Sequence, residues 1–288
     1  MRKNSPNTIQ GAGLGLRRAI IGPLCEHKPS QVDFMEVAPE NWINLGGRFG
    51  KQFRAMTEAY PFVTHGLSLS LGGPEPIDVK LVKSIKAFLD EHGIDVYTEH
   101  LSYCSDNGHL YDLMPIPFTA EAVKHVVQRI HQVQDILERP MGIENVSYYA
   151  ALGQEMSELE FLEAVLDEAD CGLLLDVNNI YVNSVNHGYD AESFLARMPG
   201  ERIQYIHVAG HFNEAEDLIV DTHGADVIDP VWALLEKAYN LFGVKPTLLE
   251  RDFNIPEVPE LLSEIDRIHS IQASYQLMTD EIVKGLVS

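Results

Sequence analysis

Short apolar segments rich in branched residues recur along this chain, and a longer amphipathic segment follows each one. The short segments are GAGLGL (11–16), DFMEVA (33–38), FVTHG (62–66), IDVYTEH (94–100), MGIENV (141–146), CGLLLDVN (171–178), IQYIHVA (203–209) and PTLLERD (246–252). A strand covered on both faces reads as a continuous apolar run, whereas its covering helix shows one apolar stripe. The alternation therefore predicts βα units around a parallel sheet. About eight such units close a barrel. The expected class is α/β, a (β/α)8 TIM barrel. The expected organisation is a single domain over residues 8–275, with 1–7 and 276–288 as terminal tails.

The longer segments carry helix punctuation. PIDVKLVKSIKAFLDEHG is expected to start at Pro76 and stop at Gly93, because proline pre-sets φ early and glycine tolerates the left-handed stop. Ser157 and Glu160 stand at capping-box spacing. In DPVWALLEKAYNLFG, Asp229 is expected as N-cap, with Pro230 first in the helix and Gly243 at its end. YCSDNGHLYDL reads as a hairpin turning at Asn107–Gly108, over the end of the fourth strand.

Composition excludes several classes of function. A net charge of −22 repels polyphosphate backbones, so no nucleic-acid partner is expected. No apolar run has transmembrane length, so no membrane partner is expected either. The polar start MRKNSPNTIQG lacks a signal-peptide core, and a cytoplasmic location is expected. The three cysteines, Cys25, Cys104 and Cys171, share no metal-ligand spacing and no disulfide framework.

The chemistry-bearing residues gather where the strands end. In a βα barrel the C-terminal strand ends and the loops after them build the site. Those positions hold His65, His100, Glu144, Asp176, Asn178, His207 and Glu250, with His187 and the pair Asp221 and His223 in following loops. Residues two apart on a strand share a face, so Asp176 and Asn178 are expected to point inward together. Asp221 and His223 would do likewise if the strand reached them. Each of these side chains alone has an ordinary structural reading as a hydrogen-bonded core group. Of 12 histidines, however, His65, His100, His187, His207, His211 and His223 all fall at strand ends or beyond. Burying that many acids and imidazoles leaves charge uncompensated unless a cation is present. Imidazole, carboxylate and amide without thiolate suit iron(II), manganese or zinc, and about ten candidates suit two or three ions.

HGLSLSLG, YTEHLSY, IENVSYY, LLLDVNNIYVNSVNHGYD, YIHVAGH, DTHGADV and LLERDFNIP, taken together, resemble the domain-of-unknown-function-692 family. These are multinuclear non-haem iron-dependent oxidases, similar to the methanobactin biosynthesis oxidase. The resemblance implies a xylose isomerase-like barrel, two to three iron ions (Fe2+/Fe3+) and O2 as co-substrate. It implies His65 and His100 on one iron with Glu144, which bridges to a second held by Asp176, His207 and Glu250. Asn178, His187, Asp221 and His223 would hold the third. The implied substrate is a cysteine-containing precursor peptide, ribosomally made, and several members need a separate partner protein that recognises that peptide.

Bound iron would present the substrate thiol as thiolate beside an ion that activates O2, and hydrogen would leave the cysteine Cβ. Asp252, two residues past Glu250, is expected as a base, with a salt bridge to Arg251 as its structural alternative. Glu36 and Asn41, in MEVAPENW, are expected to support ligands or substrate, or to be structural. A multinuclear zinc or manganese hydrolase, or a sugar isomerase, is the alternative enzyme on the same barrel. A metal-stabilised binding protein is the non-enzymatic one.

Overall fold

The computed structural model describes residues 9–106, 108–151 and 153–287, with 109, 111 and 278–287 described by their backbone alone. The first half runs β1 (Ala12–Gly15), α1 (Ile21–His27), β2 (Phe34–Val37), α2 (Gly47–Thr57), β3 (Phe62–Gly66), α3 (Val79–His92), β4 (Tyr97–His100), β5 (Tyr103–Ser105), β6 (His109–Met114) and α4 (Ala120–Leu137). The second half runs β7 (Gly142–Glu144), α5 (Glu158–Ala169), β8 (Gly172–Asp176), α6 (Val177–His187), α7 (Ala191–Leu195), β9 (Ile203–Ala209), β10 (Phe212–Ala215), β11 (Leu218–Val220), α8 (Asp229–Phe242), β12 (Thr247–Glu250) and α9 (Val258–Val287). The last helix extends into the segment 276–288 that the sequence reading sets apart as a tail.

Strands β1, β2, β3, β4, β7, β8, β9 and β12 close into one barrel, each parallel to its neighbours. The α/β barrel expected from the alternation is therefore the fold. Two antiparallel hairpins, β5–β6 and β10–β11, are inserted after β4 and β9 at the C-terminal end. The first is the hairpin read from YCSDNGHLYDL; its expected turn residue Asn107 lies outside the described residues.

Strand periodicity makes two cores. Phe34, Val63, Leu174, Tyr205 and Leu248 pack together with Ile9 inside the barrel. Their neighbours Met35, Leu173, Leu175, Ile206 and Leu249 join the larger core beneath the helices. Gly13 belongs to the inner arrangement because a Cβ there would meet the Phe34 ring at 2.5 Å. Truncating a fully buried inner residue such as Leu174 to alanine should remove about 2–5 kcal/mol. Two residues beyond this apolar layer come Glu36, His65, Asp176, His207 and Glu250, on the same faces of the same strands. The barrel thus fills its floor with hydrocarbon and its C-terminal mouth with ligand-type groups.

Several local expectations are corrected. Helix α3 begins after Asp78, whose side chain caps Lys80 N and Leu81 N, and not at Pro76. The N-cap of α8 is Ile228, and Asp229 is already helical. Strand β8 stops at Asp176, so Asn178 lies in the first turn of α6 and not on a strand face with Asp176. His187 is the last residue of α6, not a loop residue. Strand β11 stops at Val220, leaving Asp221 and His223 in the loop beyond. The capping box at Ser157 and Glu160 is present.

Candidate metal centre

Parallel register sets the first pairs side by side. His100 is the register partner of Glu144, and Asp176 of His207. His65 and His100 then meet at their tips, with Nε2 to Nε2 at 3.1 Å. Glu144 Oε2 lies 3.2 Å from the first of these nitrogens and 3.4 Å from the second. The far nitrogens decide what the tips carry. His100 Nδ1 is 3.0 Å from Gly66 O, an acceptor only, so it donates there. Tyr205 O–H donates to Glu36, and Thr98 O–H can turn to Tyr205 or to Thr64 O, leaving the Thr98 oxygen to accept from His65 Nδ1 at 2.8 Å. In the neutral imidazoles both Nε2 atoms then present lone pairs to each other and to a carboxylate. Three acceptors converging on one point call for a cation between them.

Asp176 has a divided role. Its Oδ1 accepts from Asn179 N at 2.7 Å and starts α6, while Oδ2 is buried with no hydrogen-bond partner. Asn179 in turn donates to Asn145 O at 3.1 Å and lies 3.4 Å from Glu144 Oε1. His207 sits between acids. Its Nε2 is 2.9 Å from Glu36 Oε2, and its Nδ1 is 2.9 Å from Glu250 Oε2 without hydrogen-bond geometry. Glu36 holds the far nitrogen of a ligand-type histidine, the arrangement that orients imidazoles on metals.

The third part is a chain of polar contacts. Asn178 Nδ2 donates to Asp221 Oδ1 at 2.8 Å, and Ser147 Oγ donates to Asp221 Oδ2 at 3.0 Å. His223 Nε2 is 2.8 Å from Asp221 Oδ1, again without hydrogen-bond geometry. His211, which sequence reasoning left without a role, has Nδ1 2.7 Å from Asn178 Oδ1 and a buried Nε2 with no partner. The structure thus brings together His65, His100, Glu144, Asp176, Asn178, His207, Asp221, His223 and Glu250. It sets His187 apart. That ring stacks on Tyr148 at 4.0 Å and puts Nε2 2.8 Å from Tyr148 O, facing a separate cavity with Glu158 and Tyr189.

Asp252 lines the cleft over the cluster, and its ion-pair partner is Arg17, not Arg251. Arg251 instead pairs with Asp226 and Glu264. Asn41 and Trp42 line the same cleft, whose volume is about 330 Å³. Cys104 is buried, with Sγ 3.5 Å from Leu67 O, and burial pushes its thiol up.

The electrostatics are those of acids and imidazoles crowded together out of water. Burial disfavours charge on His100, yet Glu144 and Glu99 outweigh it and raise the imidazole to about 9. Burial likewise works against ionising Glu144, but His65, His100 and His207 bring it down to about 2. Protons here supply the positive charge that ions would otherwise bring. The unpartnered buried atoms Glu144 Oε2, Asp176 Oδ2, His207 Nδ1 and His223 Nε2 all face this region. Among the described residues, four groups of three could each hold a metal ion: His65–His100–Glu144, Glu144–Asp176–His207, Glu36–His207–Glu250 and Asp176–His223–Glu250. Glu144 belongs to two of these groups, as a bridging carboxylate does.

Barrel and mouth together define a (β/α)8 protein whose C-terminal mouth gathers side chains that could hold metal ions. D-psicose 3-epimerase from Clostridium cellulolyticum H10 aligns with a TM-score of 0.58 at 11% identity, covering 94% of this chain and 99% of that one. Endonuclease IV from Thermus thermophilus aligns with a TM-score of 0.59 at 15% identity, covering 92% and 99%. At such identities the likeness is one of fold alone. The chain belongs to the family of RiPP precursor modification enzymes MbnB/TglH/ChrH, whose model matches residues 11–273. A UPF0276 protein of Shewanella sediminis (strain HAW-EB3) is 67% identical over 260 residues, covering 90% of this chain and 94% of that one. One from Alcanivorax borkumensis is 65% identical over 277 residues, covering 93% of each. Among the described residues no helix is long and apolar enough to cross a membrane.

Proposed function

We propose that this protein is a multinuclear non-haem iron-dependent oxidase, of the domain-of-unknown-function-692 kind, that uses O2 to modify cysteine residues of a ribosomally made precursor peptide. The observation that carries the reading is the convergence of buried, unpartnered ligand atoms from His207, His223, Glu144 and Asp176 at the barrel mouth. The family supplies the peptide, since its members modify RiPP precursors. His65, His100 and Glu144 would hold one ion, and Glu144 with Asp176, His207 and Glu250 a second. Asp221 and His223, backed by Asn178, would hold a third. Two to three iron ions held there would supply O2 activation and a seat for a soft thiolate.

The remaining work falls to the chain. Glu36, Gly66 O and Thr98 keep His207, His100 and His65 turned toward the centre. Trp42 and Leu67 wall the cleft with hydrocarbon, shielding the thiol from bulk water. Asp252 is assigned the proton released by the substrate. Burial and Glu250 would raise its carboxyl, but His223 and Arg17 outweigh them and hold it below its ordinary value, so it stays ionised and able to accept. A separate protein that grips the precursor belongs to the proposal.

The test is purification under anaerobic, iron-supplemented conditions, followed by elemental analysis and O2 uptake with a cysteine-containing precursor encoded beside the gene. Two to three irons per chain and O2-dependent mass loss or gain on the peptide are expected. Zinc as the sole ion, or less than one equivalent of iron, refutes the oxidase reading.

A further inference from the structure

We propose that Arg17 is a positioning residue that acts through Asp252 to fix the ring of His223, so that its Nε2 faces Asp221 at the edge of the cluster. The inference deepens the metal-centre reading and rests on it.

Arg17 stands just past β1, at the seam where β1 meets β12. Gly15 leaves it room, since a Cβ there would lie 3.0 Å from Nη1. The guanidinium reaches two acids at once. Its Nε donates to Asp252 Oδ1 at 2.7 Å, and Nη2 lies 2.6 Å from the same oxygen and 3.1 Å from Glu250 Oε1. Each acid is thereby left with one inner oxygen. Glu250 turns Oε2 to His207 Nδ1 at 2.9 Å. Asp252 turns Oδ2 to His223 Nδ1 at 3.1 Å.

Asp252 also holds His223 by the main chain, its N–H donating to His223 O at 2.9 Å. That second grip matters because His223 has φ 50, a left-handed conformation that a residue with a Cβ keeps only when its surroundings impose it. With the Nδ1 proton engaged by Asp252, the lone pair of the neutral ring lies on Nε2. This nitrogen is 2.8 Å from Asp221 Oδ1 and makes no hydrogen bond. The order Arg17, Asp252, His223 is therefore a support for one ligand atom, and the fork shape of the guanidinium is what spans both acids. A bare positive charge would balance Glu250 and Asp252 but would not align them.

Arg17→Gln and Arg17→Lys separate these ideas. The iron-loaded proteins are challenged anaerobically with a graded chelator, and the release of each iron is followed by elemental analysis. Circular dichroism of the metal-free forms checks folding. Both variants should hold one iron about 10–100-fold more weakly, the loss typical when a group supporting a metal-bound histidine is removed. The iron at His65 and His100 should stay within about twofold, since Arg17 reaches only Asp252 and Glu250, and the iron that uses Glu250 should loosen less than the one at His223 because Glu250 keeps Oε2 turned to His207. Asp252→Asn should release the same iron and serves if Arg17→Gln fails to fold. Full retention in Arg17→Lys with loss in Arg17→Gln would show that charge alone matters and would overturn the proposal. So would equal weakening of every iron, or none. If the unaltered protein binds no iron, the metal-centre reading falls and takes this inference with it. If it binds iron and the variants match it, only the Arg17 role is refuted.

Discussion

Asp176 caps the backbone N–H of Asn179 at 2.7 Å, so the acid that ends strand β8 also begins helix α6. The cap uses Oδ1 and leaves Oδ2 buried without a partner, so the cap and the proposed ligand role are separable. Asp176→Asn should preserve the cap, because asparagine caps as well as aspartate does. It should leave the metal-free protein about as stable and strip at least one ion. Asp176→Ala should lose the ion and about 1 kcal/mol of stability besides. Paired melting curves and metal analysis would check this. Equal melting temperatures for the two variants would count against the cap.

Glu144 and His187 differ in how many neighbours they serve. Glu144 Oε2 faces two imidazoles, and its carboxylate joins two of the candidate ligand groups. Glu144→Ala should therefore lose more than one ion. His187 stacks on Tyr148 away from the cluster. His187→Ala should keep the full ion content and lose about 0.5–1.5 kcal/mol of stacking. Elemental analysis decides, and an emptied ion in His187→Ala would return that histidine to the centre.

Metal binding should release protons. His100 is raised to about 9, so in the metal-free protein its ring is protonated at pH 7. An ion taking Nε2 must displace that proton, and affinity should rise with pH until about 9 is passed. Calorimetric titration with zinc(II) in buffers of different ionisation enthalpy measures the release directly. At least one proton per chain is expected at pH 7, and a value of zero refutes the assignment.

Glu158 carries a pH signature away from the mouth. Burial pushes its carboxyl up to about 7, and hydrogen bonds from Tyr148 and Asn183 offset this only in part. The folded protein thus binds this proton more tightly than the unfolded chain does. Stability from this group is full below the ordinary value of 4.5 and is lost as pH rises toward 7. Above that, the ionised acid destabilises by up to about 3 kcal/mol. Glu158→Gln should melt several degrees above the unaltered protein at pH 8 and level with it near pH 5. An advantage independent of pH would show that the carboxyl does not titrate in this range.

His65, His100, Glu144, His207 and Glu250 were legible because each lies on a barrel strand near its C-terminal end, and the two-residue period carries the inner face up to it. Asn178 and His187 were misplaced for a local reason. The run LLLDVNNIYV has no glycine, proline or loop between strand and helix, so Val177 and Asn178 read as two more strand residues. Asp176 is the cap, and a cap that directly ends a strand has no flanking loop to announce it. The role of Glu36 is not legible in the sequence because its partner His207 is 171 positions away, a distance no local pattern encodes. Arg17 escaped notice because an arginine pair after a strand reads as solvated charge; its two carboxylates lie more than 230 positions further on.

The direct join of β8 to α6 also limits how the chain can be edited. Most turns at this end are loops or hairpins, and the β10–β11 turn at Glu216 and Asp217 is exposed and could accept added residues. Between Asp176 and Val177 there is nothing to lengthen. One inserted residue would rotate the helix by roughly 100° about its axis. It would carry Asn178 from Asp221 and Asn179 from Asn145 in the same stroke. Insertion scanning across the barrel mouth should find this joint the least tolerant, and loop grafts that retune the cleft are best placed elsewhere.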